Sequence, residues 1–180
     1  MIYWFFILGL PLVAYGLFAV ANPARAAHAL VAFPRNRMVG HALCAVAWFW
    51  TAHELDVIGI EIFDRFLKAF PFELWMLACV LTALTCWWMP NLLPVRSAAA
   101  IFMLFPAELF PVIRLEATPW RLALVVFAYL CAFLGMVGMF YPWRIRQALA
   151  WLAASSGRVA ATGGLALAAG GLFLALGCLL

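Results

Sequence analysis

Charge is scarce in this chain, and the scarcity decides its class. Asp, Glu, Lys and Arg make up 10% of the 180 residues, against 69% hydrophobic residues and a mean hydropathy of +1.10. A water-soluble domain of this length cannot hide so much apolar surface. Alternation of apolar and polar residues is also missing. This removes β-strands, because an open sheet edge would leave backbone donors unpaired in lipid. No basic stretch precedes the first apolar run, which meets Asn22-Pro23 instead of a small-residue cleavage site. It reads as a retained helix, not a removed leader. The five cysteines, Cys44, Cys79, Cys86, Cys131 and Cys178, form no C-x-x-C pair and all fall in apolar runs. A free buried Cys behaves as a small hydrophobe, so neither a disulfide nor a metal is assigned. No catalytic constellation stands anywhere in the chain, and no enzymatic activity is expected.

What is present is a series of apolar runs long enough to approach the ~20 residues a helix needs to cross a bilayer core. Six spans are predicted: 2–21, 38–53, 72–89, 97–113, 119–140 and 159–180. The fold expected is an all-α polytopic membrane bundle of about six transmembrane helices with short interfacial amphipathic helices, forming one integral membrane domain over 1–180. The net charge of +4 would suggest nucleic acid in a soluble protein. Here the basic residues end apolar runs, so they read as orienting charges and no nucleic-acid partner is expected.

Sorted by loop, those charges separate. The connections after the first, third and fifth spans carry Arg25, Arg35, Arg37, Arg96, Arg144, Arg146 and Arg158 and no acid. The other side carries every acid: Glu54, Asp56, Glu61, Asp64, Glu73, Glu108 and Glu116, with Arg65, Lys68, Arg114 and Arg121 as its bases. The positive-inside rule then makes loops 22–37, 90–96 and 141–158 cytoplasmic and puts both termini outside.

The two longer cytoplasmic stretches, NPARAAHALVAFPRNR (22–37) and YPWRIRQALAWLAASSGR (141–158), match at an offset of 119 residues: Pro23 with Pro142, Arg25 with Arg144, Ala29 with Ala148, Leu30 with Leu149. Ala26, Ala29, Leu30 and Phe33 share one helix face, as do Ile145, Ala148, Leu149 and Leu152. A proline in a first helical turn costs no hydrogen bond, so each stretch starts a short helix there. Each is expected in the headgroup layer with Arg25, Arg35, Arg37, Arg144, Arg146 and Arg158 toward lipid phosphate. The match is either a weak internal repeat, 1–53 with 119–180, or two interfacial helices that converged. A third surface helix is expected over 53–70. Its apolar face runs from Leu55 to Phe70, with the i, i+4 pairs Glu61 to Arg65 and Asp64 to Lys68 opposite.

Glu108 is the acid that looks expensive. It lies twelve residues beyond Arg96, about 18 Å along a regular helix, between Pro106 and Pro111. One reading is a broken helix with an intramembrane carboxylate facing a polar cavity, as in transport proteins. The other is a helix that ends near Pro106, leaving Glu108 at the outer interface paired to Arg114 or Arg121. Within the last span, Ala160, Gly164 and Ala168 form a small-residue ridge suited to close helix packing, either against the fifth span with its Gly135 and Gly138 or against another chain.

No cofactor is predicted. His41 and His53 share a helix as axial haem ligands can, yet twelve residues put them about 120° apart around its axis and near opposite ends. The nine tryptophans, mostly near span ends, read as interface anchors, although aromatic content this high also suits pigment or quinone contacts. Pro142–Leu180, with its basic amphipathic segment, Arg158, glycine pairs and terminal apolar helix, resembles small two-helix bacterial inner-membrane proteins of unknown function. The resemblance covers about a fifth of the chain and implies a bacterial inner-membrane location without an active site.

The function expected is a non-catalytic accessory or scaffold subunit whose partners are the lipid bilayer and other membrane subunits or itself. The alternatives are a small transporter or proton-conducting protein using Glu108, and a cofactor-binding electron-transfer subunit.

Overall fold

The computed structural model describes residues 2–58, 74–115 and 118–179. Among them all regular structure is helical. In chain order the elements are α1 (Ile2–Ala21), α2 (Pro23–Ala32), a 3-10 turn (Phe33–Arg35), α3 (Arg37–Ile58), α4 (Leu74–Trp88), α5 (Leu93–Arg114), α6 (Arg121–Phe140), α7 (Pro142–Ala153) and α8 (Ser156–Leu179).

Local chemistry sets these boundaries. Pro23 and Pro142 stand in the first turns of α2 and α7, where a missing N–H is harmless. Asn36 starts α3 by accepting the Val39 N–H on its side-chain oxygen at 3.2 Å. Leu92 takes a left-handed conformation, φ 59°, to turn the chain into α5, whose first turn holds Pro94.

Among the described residues four helices, α1, α5, α6 and α8, are long and apolar enough to cross a membrane. α4 has 15 residues, about 22 Å, and α3 has the length but spreads Arg37, His41, His53, Glu54 and Asp56 along it. Of the surface helix expected over 53–70, residues 53–58 continue α3, and 59–73, with Glu61, Asp64, Arg65 and Lys68, lie outside the described residues.

Two helix pairs approach closely enough to need glycine. α1 and α8 run antiparallel, with Gly9 against Gly170 and Gly16 against Gly163. A Cβ on Gly16 would stand 2.7 Å from the Gly163 carbonyl oxygen and 2.8 Å from the Leu167 nitrogen. Gly9 and Gly16 are seven residues apart, as are Gly163, Gly170 and Gly177, so one heptad stripe lies on another. α6 meets α5 in the same way: a Cβ on Gly135 would come within 2.7 Å of the Ala99 carbonyl oxygen. The internal contact expected between α8 and the α6 glycines is therefore replaced, since Gly135 and Gly138 seat Ala99 and Met103 of α5.

An aromatic and aliphatic core joins the two pairs. Phe5, Leu109, Ile113, Leu124, Ala128, Phe173 and Leu176 are its buried members. Phe127 and Phe173 meet edge-on at 5.4 Å, and Trp4 and Phe105 at 5.6 Å. On the other side of α5, α3 packs through Gly40 on Pro94, and α4 packs on α3.

Candidate functional site

At one end of the bundle, α2 and α7 pack on each other and on the start of α8, around buried Ala19, Ala26 and Val159. This end gathers the arginines. Arg25, Arg35, Arg37, Arg144 and Arg146 are exposed, and segments 22–37, 90–96 and 141–158 contain no acid. Arg158 is also exposed but held: its Nη1 donates to the Trp151 carbonyl at 2.9 Å, and its guanidinium lies 4.1 Å over the Trp151 ring. Arg96 is half-buried. Its Nη1 donates to Met89 Sδ at 3.2 Å, while its Nε is buried without a hydrogen-bond acceptor among the described residues.

His28 and Arg35 are seven residues apart, two turns along one face, and with Val31, Ala32 and Asn36 they line an open groove of about 420 Å³. Sequence reasoning singled out Arg35 but not His28, whose signal was the same two-turn spacing. Cationic and hydrogen-bonding side chains on an acid-free surface attract phosphate-bearing groups.

The apolar faces expected on the two short helices are only partly covered. Ala26 is buried and Leu30 half-buried on α2, and Phe33 is half-buried in the 3-10 turn that follows; Ile145, Leu149 and Leu152 are half-buried on α7, and Ala29 and Ala148 are exposed.

Glu108 lies inside α5, which continues as α-helix through Pro106 and Pro111 to Arg114. The helix neither ends near Pro106 nor breaks between the prolines. Glu108 is half-buried, next to fully buried Leu109. Six residues along a continuous helix put Arg114 about 240° around the axis and about 9 Å further on, so the pairing expected between them is not favoured by the geometry. Arg121 begins α6.

Ala160, Gly164 and Ala168 run along α8 beside the buried stripe, one residue out of phase. Ala160 is half-buried, Gly164 and Ala168 are exposed, and a Cβ on Gly164 or Gly171 would meet nothing within 4 Å among the described residues. α8 thus carries two small-residue stripes: the one through Gly163 and Gly170 is filled by α1, and the one through Gly164 and Gly171 faces outward.

One cluster was missed altogether. Cys44 on α3 is buried and faces the Cys86 thiol and Thr85 hydroxyl of α4 and the Ser97 hydroxyl of α5. The two cysteines are 42 residues apart with no shared motif, so only the packing of three helices brings them together.

Comparison with known proteins adds no assignment to this geometry: no protein-family model, no curated protein and no solved structure matches the chain.

Proposed function

We propose that this chain is a non-catalytic subunit of a larger membrane assembly, an accessory or scaffold element held by helix–helix contact. The observation that carries the reading is the outward stripe on α8. Small residues in a membrane helix let a second helix approach to backbone contact, and α8 makes that kind of contact with α1 through the neighbouring stripe. Around it the bundle exposes large apolar side chains such as Leu165 and Leu172, as a lipid-facing or helix-facing surface requires.

In this reading α3 and α4 also cross, giving six spans in a bacterial inner membrane. The termini lie outside, and α2 and α7 rest at the cytoplasmic headgroups. Arg25, Arg35, Arg37, Arg144 and Arg146 reach lipid phosphate there, and Trp87, Trp88, Trp143 and Trp151, all exposed, anchor the same level. A reporter fused after Leu180 is expected to read as extracytoplasmic and a tag inserted at Arg96 as cytoplasmic. A cytoplasmic C-terminus would remove one crossing and overturn the orientation.

The half-buried carboxylate on a proline-bearing helix supports a second reading, a small transporter working through Glu108. Glu108→Gln separates the two, because it keeps the shape and removes the titratable proton. For a scaffold, the variant extracted in mild detergent stays in an assembly of the same size as the original chain. Neither form then moves protons or solute in proteoliposomes. A flux in the purified protein that disappears with Glu108→Gln would make the transporter the correct assignment.

A further inference from the structure

Three helices converge near the arginine-bearing end around a small polar cluster. α3 supplies Cys44, 2% exposed; α4 supplies Thr85 and Cys86, both half-buried; α5 supplies Ser97, 5% exposed and the one buried polar side chain among the described residues. The Cys44 thiol faces the other three groups.

Contacts on either side fix this arrangement. One turn beyond Cys44 on α3, the Trp48 indole N–H donates to the Thr85 hydroxyl at 3.0 Å, and that hydroxyl donates to the Leu81 carbonyl at 2.7 Å. One turn before Cys44, a Cβ on Gly40 would lie 3.0 Å from Pro94 Cδ, so α5 is seated against α3 one turn from Ser97. Both thiols stand on packed helices, and their approach owes nothing to a loop. The other three cysteines lack such a setting. Cys79 and Cys178 are on the surface, and Cys131 is buried on α6.

We propose that Cys44 and Cys86 are a redox-active dithiol whose oxidation joins α3 to α4 by a disulfide. The oxidant class is a small uncharged peroxide, which enters apolar surroundings that exclude charged reagents. Cys86 is the more accessible sulfur and reacts first. Its sulfur bonds to one peroxide oxygen, the O–O bond breaks, and the other oxygen leaves as water, so that Cys86 becomes a sulfenic acid. The Cys44 sulfur then displaces that hydroxyl, the S–S bond forms, and a second water leaves with the Cys44 proton. Two S–H bonds are lost and two electrons pass to each peroxide. A dithiol reductant reverses the change. The disulfide would stop α3 and α4 from sliding or separating at the end where the arginines lie.

The test uses the full chain, purified under reductant and treated with hydrogen peroxide. The protein is then unfolded in a denaturing detergent, remaining thiols are blocked with a maleimide, and the chain is digested and weighed without reduction. The expected result is joint loss of labelling at Cys44 and Cys86, a linked peptide lighter by two hydrogens than its separate parts, and full recovery with a dithiol reductant. In Cys44→Ser the linked peptide is absent, and Cys86 is captured as a sulfenic-acid adduct by a cyclic diketone. If Cys44→Ser does not fold, Cys86→Ser gives the converse reading, with Cys44 remaining a labelled thiol. The proposal is overturned if Cys44 and Cys86 stay reduced at peroxide levels that oxidise Cys79 and Cys178. It is equally overturned if Cys86 is oxidised in the original chain without forming the linked peptide.

Discussion

Gly16→Leu is expected to unfasten the first helix from the last. Gly16 sits where α1 and α8 touch backbone to backbone, and even a bare Cβ there would stand 2.6 Å from Leu167 Cγ and 2.7 Å from the Gly163 carbonyl oxygen. Rotation of Leu167 could relieve the first clash, but nothing relieves the second except moving a helix. Overpacking of this kind costs about 1–3 kcal/mol even for small additions, and Leu adds three carbons beyond the clashing one. Displacing α1 also opens the core at Phe5, which contacts Phe173 across the same seam at 6.0 Å. Gly16→Leu should therefore melt well below the original chain in detergent, or fail to accumulate, with Gly16→Ala intermediate. Unchanged melting of Gly16→Leu would mean that α1 does not pack on α8 through this face.

Gly164→Leu is expected to act on assembly and leave the chain's own stability nearly unchanged. Gly164 stands one residue from Gly163 on the same helix, yet a Cβ on it meets nothing within 4 Å. A leucine there fits without moving α1, while its bulk holds any facing helix away from the backbone. The expected signature is normal expression and melting together with dissociation from the partner or from a second copy, read by size after mild extraction. Preserved assembly would place this stripe toward lipid and remove the main support for the scaffold reading. Taken together, the two substitutions separate the inner stripe from the outer one on a single helix.

The contrast between those glycines also marks how far the sequence can be read. Two helix starts were legible because local chemistry sets them: Pro23 and Pro142 stand where a first turn is cheap to begin. The direction in which α8 faces was not. Its small residues lie on several sides; the sequence singled out the ridge through Ala160, Gly164 and Ala168, whereas the stripe that packs is the one through Gly163 and Gly170, and that choice rests on α1, some 150 residues away. The prolines of α5 suggested an end or a break. In the bundle the helix runs through them, with Pro106 buried and Leu109 in the core, because packing on α6 and on the α1–α8 pair holds the turn on either side. The cysteine pair left no local trace at all. For Glu108 the sequence located the residue that stands out chemically, but its surroundings depend on a neighbouring helix.

The antiparallel seam between α1 and α8 has a consequence for the chain as it is made. Its two halves emerge from the ribosome roughly 150 residues apart, which at about 5–20 residues per second is on the order of ten seconds or more. Throughout that interval the groove of Gly9 and Gly16 has no α8 to fill it, so early association with the wrong helix is the characteristic hazard of this topology. α8, made long after α1, is the latch. Its late arrival leaves this seam open longer than contacts between helices that are neighbours in sequence, and makes its closure the step most exposed to a competing membrane chain or an insertion chaperone.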